Sequence, residues 1–266
     1  MQQLDLLSAQ GQPYRVNLPE PKAGFRSGFL FSYHKSGSTL MDGMVRTYCK
    51  VIRVPTFSLF NAAFDAGIPT NEIGPDATRC FQPEGVVYTG FRHFPMFELG
   101  LQGHPCIWLV RDPRDMLVSL YYSVTLSHAV PPEHRLFREK RELAQSLSLE
   151  EFVLRNASTY LRSFERYREK LPRDSLTTYR YEDVIYAKAD WLKALVGRLG
   201  LPLRRRLVRL IARRYDVFPG KEVPDAHVRQ VHPGNHRAKL SAETRHRLGE
   251  LLAPILDFHG YSRDDA

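Results

Sequence analysis

The sequence predicts an α/β protein: a three-layer αβα arrangement around a central parallel sheet. Two observations carry this. Short runs of β-branched and aromatic residues recur at 26–33 (RSGFLFSY), 85–91 (GVVYTGF), 105–110 (PCIWLV) and 175–181 (SLTTYRY). Helical patterns alternate with them, which argues for parallel strands covered on both faces. Ligands in such sheets bind beyond the carboxyl ends of the strands.

The elements follow in order. After the first strand comes SYHKSGSTLM (32–41), a strand end, a small-residue turn and a helix start. Leu40, Met41, Met44, Val45, Tyr48, Cys49 and Ile52 then recur at helical spacing. DPRDMLVSLYYS (112–123) opens with proline in the first turn and aspartates near the N-terminus, which favours a helix start. Ser148 and Glu151 form a capping box before a long helix to about residue 170. Further helices are expected over 189–200 and over 241–258, the latter kinked at Pro254. RRRLVRLIARR (204–214) carries apolar residues at helical spacing and reads as a basic surface helix. Segments 55–85, 124–147 and 216–236 are too long for simple connections and are expected to shape a binding site.

With 266 residues the chain can bury one sizeable core. One domain over residues 1–266 is expected. The net charge of +9 favours anionic ligands. No apolar run reaches the roughly 18–20 residues that cross a bilayer, and the N-terminus lacks the pattern of a signal peptide. Cys49, Cys80 and Cys106 have neither pairing nor metal-ligand spacing, so they are expected to be reduced and buried in a cytoplasmic protein.

Two strand ends look suited to anions. In HKSGSTL, Ser36, Gly37 and Ser38 allow a tight turn whose N–H groups point inward. The helix that follows adds its free N–H groups and positive dipole end. Lys35 adds a full charge, and Ser38 and Thr39 add hydroxyls. No carboxylate is at hand, so a phosphate suits the loop and a metal does not. In WLVRDPRDMLVSLYYS, Arg111 ends a strand and Ser119 lies eight residues on, about two helical turns in. A guanidinium fork and a hydroxyl can hold a second phosphate. The alternative is a surface ion-pair cluster of Arg111, Asp112, Arg114 and Asp115. Two phosphate sites at two strand ends suit a nucleotide phosphorylated at both 5′ and 3′ positions.

These motifs resemble those of the sulfotransferases that use 3′-phosphoadenosine-5′-phosphosulfate (PAPS). YHKSGSTL is similar to their 5′-phosphosulfate loop, a P-loop-like turn, and RDPRDMLVSLYYS to their 3′-phosphate motif. TGFRHFP is similar to the cytosolic-type segment whose histidine is the general base, which implies that role for His93. YRYEDV resembles the segment whose tyrosine lies by the adenosine, here Tyr181. RQVHPGNHRAKLS (229–241) resembles the C-terminal loop that closes on the 3′-phosphate, which makes Arg229 a ligand. The resemblance implies a single sulfotransferase domain, PAPS as co-substrate and no metal. It also implies Lys35, Ser36, Gly37, Ser38, Thr39, Leu40, Arg111, Ser119, Tyr181 and Arg229 as nucleotide contacts, with Lys35 and His93 catalytic. Leu40 stands where those proteins carry tryptophan, and Gln230 and Val231 replace their lysine and glycine. Tyr215 offers itself either to the adenine or as a core aromatic. Glu84 and Glu98 are the nearest carboxylate alternatives to His93.

Two rivals remain at this level. One is a P-loop kinase-like phosphotransferase with Asp112 on Mg²⁺, although the required Gly-x-x-x-x-Gly-Lys-Ser/Thr pattern is absent. The other is a basic, non-catalytic nucleotide or nucleic-acid binding module. The main reading expects no nucleic acid, no transmembrane segment and a small-molecule, lipid or carbohydrate acceptor, with a homodimer as one option for the assembly. Phe57, Phe60, Phe64, Phe81 and Tyr122 would either line an apolar acceptor pocket or pack as satellite core.

Overall fold

The structure, a computed structural model, describes residues 2–127, 135–218 and 231–264. In chain order the strands and helices are β1 (Gln2–Leu7), β2 (Pro13–Leu18), β3 (Gly28–Ser32), α1 (Ser38–Val51), β4 (Thr56–Phe57), α2 (Leu59–Asp65), β5 (Val87–Phe91) and β6 (Cys106–Val110). They continue with α3 (Pro113–Tyr122), a π-helical turn at 123–127, α4 (Arg135–Gln145), α5 (Leu149–Lys170), β7 (Leu176–Arg180) and α6 (Tyr181–Val184). The chain then forms α7 (Lys188–Arg198), α8 (Arg205–Arg214), α9 (Asn235–Lys239), α10 (Ala242–Leu251) and α11 (Ala253–His259). Two compact units result. The first comprises Met1–Tyr33, Gly37–Val110 and Arg166–Asp216, and the second His34–Ser36, Arg111–Glu165 and Val217–Ala266.

The first unit holds the expected parallel sheet, five strands in the order β4-β5-β3-β6-β7. Its central strands are apolar on both faces because both faces are covered. On one face Leu30, Ile107 and Leu109 meet Met41, Met44 and Val45 of α1 and Leu192, Leu195 and Val196 of α7, with Val208 and Ile211 of α8. On the other, Phe29, Phe31, Tyr88, Phe91 and Trp108 form an aromatic layer against Phe94 and Tyr167. Burying such side chains fully stabilises by about 1.5–3 kcal/mol each. Tyr167, in the last turns of α5, also donates its hydroxyl to the carbonyls of Ser32 and Phe91, at 2.9 and 3.3 Å.

Several elements differ from expectation. The N-terminal segment forms an antiparallel β1–β2 hairpin in which Tyr14, Val16 and Leu18 alternate inward. Segment 55–85 carries β4, α2 and two 3₁₀ turns, and α4 lies within 124–147. The final helix is two, α10 and α11, because Pro254 sits in the first turn of the second. The three cysteines are free and buried, and burial pushes each thiol up to about 12.

Candidate functional site

β3 and β6 pair in parallel, with Ser32 opposite Leu109, so both strands end at the same edge of the sheet. Strand neighbours are about 4.8 Å apart. From β3 the chain crosses to β4 on one side, and from β6 it leads to β7 on the other. Adjacent strands whose outgoing connections diverge make the switch point where sheets of this kind receive ligands. The residues that follow are the two anion motifs, 33–37 after β3 and Arg111–Asp112 after β6.

In the first unit, Gly37 caps α1 with φ 95°, a left-handed conformation that favours glycine. A Cβ there would stand 2.7 Å from the Tyr181 ring. Tyr181, buried at the start of α6, therefore lies directly on the loop. Ser38 is buried and begins α1, Thr39 is exposed, and Leu40 packs on the core. The first N–H groups of α1 have no partner within the helix and can bind an anion. Tyr215 lies against Gly43, where a Cβ would meet its ring at 2.7 Å, and its hydroxyl is 3.1 Å from that of Thr47. It packs against the core under α1, α7 and α8.

In the second unit, Lys35 adopts φ 70°, unusual for a residue with a side chain. Its carbonyl accepts from Arg111 Nη1 at 3.5 Å. Ser36 is fully buried. Tyr160 of α5 donates to the His34 carbonyl at 2.9 Å. Arg111, only 6% exposed, donates from Nη2 to Asp115 Oδ2 at 3.2 Å. That oxygen also accepts from the Gly234 N–H at 2.8 Å, while Oδ1 accepts from the His236 N–H at 3.0 Å and lies 2.7 Å from His236 Nδ1. Burial alone would raise the Asp115 carboxyl, but the His236 hydrogen bond and the Arg111 charge hold it well below the carboxylate range. Burial likewise opposes charge on His236, yet its bond to Asp115 and the nearby Asp112 keep it above its ordinary value. The ion-pair alternative holds in part: Arg111 pairs with Asp115 and Arg114 with Asp112, but all four are buried and not on the surface. Asp112 caps α3 and pairs with Arg114 at 2.7 Å, and Arg114 reaches the carbonyls of Ser262 and Arg263. The carboxylate the kinase-like rival needs is therefore occupied. Ser119 lies half-buried on α3, one turn beyond Asp115.

His93 follows β5 in the first unit and stacks on Phe60, with ring centroids 4.5 Å apart. His93 is exposed at the surface, and partial desolvation beside this neighbour, then the charges of Arg166 and Arg92, lower its ring below the ordinary histidine value. That direction favours the neutral imidazole. Of the carboxylate alternatives, Glu98 pairs with Lys170 at 2.8 Å, and Glu84 joins Arg26 in an isolated antiparallel backbone bridge. Phe57, Phe60 and Phe81 join the aromatic packing, and Phe64 is exposed. Arg229 lies outside the described residues.

The structure thus joins Lys35 with Arg111 and Gly37 with Tyr181. The sequence placed Asp115 only in the ion-pair alternative and gave His236 no role, although Asp115 stands four residues after Arg111, the spacing of a facing pair.

This fold and these motifs define an α/β protein with candidate anion sites at two adjacent strand ends. Residues 105–245, just over half of the chain, match the family described as Sulfotransferase domain, and the chain belongs to that family. The match begins after the β3 loop. No curated protein matches the sequence. Among solved structures, mouse sulfotransferase SULT7A1 complexed with PAP is 15% identical, with a TM-score of 0.55 over 88% of this chain and 86% of that one. Retinol dehydratase in complex with androsterone and the inactive cofactor PAP is 13% identical, with a TM-score of 0.50 over 91% of this chain and 87% of that one. At these identities the likeness is one of fold. No helix among the described residues is long and apolar enough to cross a membrane.

Proposed function

We propose that this chain transfers a sulfuryl group from PAPS to a hydroxyl (or amine) acceptor by in-line displacement, with residues 1–266 serving as one sulfotransferase domain. The observation that carries the reading is the buried Arg111 guanidinium bonded to the Lys35 carbonyl, with both motifs at the ends of neighbouring strands in a chain of the sulfotransferase family. The PAP complexes of SULT7A1 and retinol dehydratase support the nucleotide.

The nucleotide supplies a sulfuryl group held through oxygen on its 5′-phosphate. Lys35, Ser36, Gly37, Ser38 and Thr39 offer that end a cation, hydroxyls and helix N–H groups. Leu40 and Tyr181 offer the adenosine apolar contact. Arg111 and Ser119, with Arg229, offer donors to the 3′-phosphate. Lys35 stabilises charge that grows on the leaving oxygen, an effect of about 3–4 kcal/mol for comparable donors. His93, with its neutral imidazole favoured, takes the acceptor proton as the acceptor bonds to sulfur. The acceptor class is a small molecule, a lipid or a carbohydrate, and the setting is the cytoplasm.

Calorimetry with adenosine 3′,5′-bisphosphate and a sulfur-35 transfer screen over phenols, sterols and sugars test the reading together. The parent should bind the bisphosphate and label an acceptor. His93→Gln should keep binding within a few-fold and lose about 10²–10⁴-fold in rate. The acid limb of its pH–rate profile, centred below 6.5 in the parent, should vanish with it. No uptake of the bisphosphate would remove the proposal, and a His93→Gln enzyme at parental rate would remove the base.

A further inference from the structure

We propose that the outer face of α8 docks on an anionic lipid bilayer. The inference is independent of the transfer reaction. Between Leu201 and Asp216 the chain carries six arginines and no acidic residue. All six, Arg204, Arg205, Arg206, Arg209, Arg213 and Arg214, are exposed. None of their side chains makes a hydrogen bond or ion pair among the described residues, and the acid that ends the segment, Asp216, is taken by Lys188 at 2.7 Å.

The helix has one inward face, made by Val208, Ile211 and Ala212. At 100° per residue, Leu210 points the opposite way, with Arg206, Arg213 and Arg214 within about 60° of it around the axis. Leu210 is 63% exposed. The outer face is therefore an exposed leucine bordered by guanidinium groups.

That combination selects the partner. A nucleic acid or sulfated glycan would satisfy the arginines but leave Leu210 facing hydrated charge. A bilayer takes both, with guanidinium forks on lipid phosphates and the leucine below them. Long arginine stems also let the charge stay at headgroup level while the leucine enters. Each arginine near an anionic surface contributes about five-fold in binding, and the attraction is screened within about 8 Å at physiological salt.

The test is sedimentation of the full chain with extruded vesicles of phosphatidylcholine alone or with about one-third phosphatidylserine. Binding is expected only with phosphatidylserine, and it should fall in high salt. R206Q/R213Q/R214Q should weaken it about 100-fold, and Leu210→Ser about ten-fold. All four side chains are exposed, so thermal unfolding should match the parent and separate lost docking from lost folding. Leu210→Ser should leave binding to a DNA duplex unchanged. Equal binding to both vesicle types, or a triple variant that sediments like the parent, would overturn the proposal. So would vesicle binding indifferent to Leu210→Ser, which would leave a polyanion surface instead.

Discussion

Asp115 is the residue whose loss the second unit should feel most. Its two oxygens accept from Arg111, the Gly234 N–H and both the backbone and ring nitrogens of His236, and its side chain is fully buried. Asp115→Ala removes an acceptor shared by four donors and strands a buried guanidinium without its counter-charge. Breaking a buried pair in this way costs about 3–5 kcal/mol. For a chain of this size about 2–4 °C of melting temperature goes with each kcal/mol, so a fall of roughly 6–20 °C is expected by calorimetry. Arg111→Ala should cost less in the Asp115→Ala background than alone, because the stranded charge has then gone, with a coupling of about 0.5–3 kcal/mol. A loss under about 1 kcal/mol, or two substitutions that simply add, would refute the buried network.

Three further outcomes follow from the same geometry. His236 has a raised folded pKa, so its stabilisation is fully present below its unfolded value of 6.5 and is lost as pH rises through the folded value. His236→Asn, which keeps a donor but does not titrate, should therefore lose most relative to the parent near pH 6 and least near pH 9 in urea melts. Tyr167→Phe takes a hydroxyl from the Ser32 and Phe91 carbonyls and should lower stability by about 1–3 kcal/mol. An unchanged denaturation midpoint would show those carbonyls satisfied without it. Gly37→Ala forces a Cβ into the Tyr181 ring at a left-handed backbone. The backbone term alone is about 1–2 kcal/mol, and adenosine bisphosphate affinity should drop at least ten-fold; parental affinity would show that the loop tolerates a side chain.

Much of this architecture was legible because strong local signals agreed with the fold. The central strands are apolar on both faces, so their sequences stand out as unbroken runs, and Gly37 and Arg111 sit at strand ends that the same runs define. What escaped had weak or non-local causes. β4 is two residues long, too short for any pattern. The hairpin's second strand does alternate, with Tyr14, Val16 and Leu18 inward, but its partner is mostly exposed and has little contrast. The engagement of Asp115 by Gly234 and His236 spans about 120 residues, a distance over which spacing carries no information. Leu40, read as a nucleotide contact from its place in the loop, also serves the core.

The left-handed turn at Lys35 puts that loop near a balance point. Such a conformation disfavours a residue with a Cβ by about 1–2 kcal/mol, and a charged donor on its carbonyl returns about the same. The hydrogen bond from Arg111, at 3.5 Å, offsets part of that cost. An anion that draws the guanidinium away would release the lysine to relax, and one that captures the lysine would shift the arginine in return. Whatever factor occupancy of one motif imposes on affinity at the other is returned in full, so a molecule held at both ends would be sensed jointly.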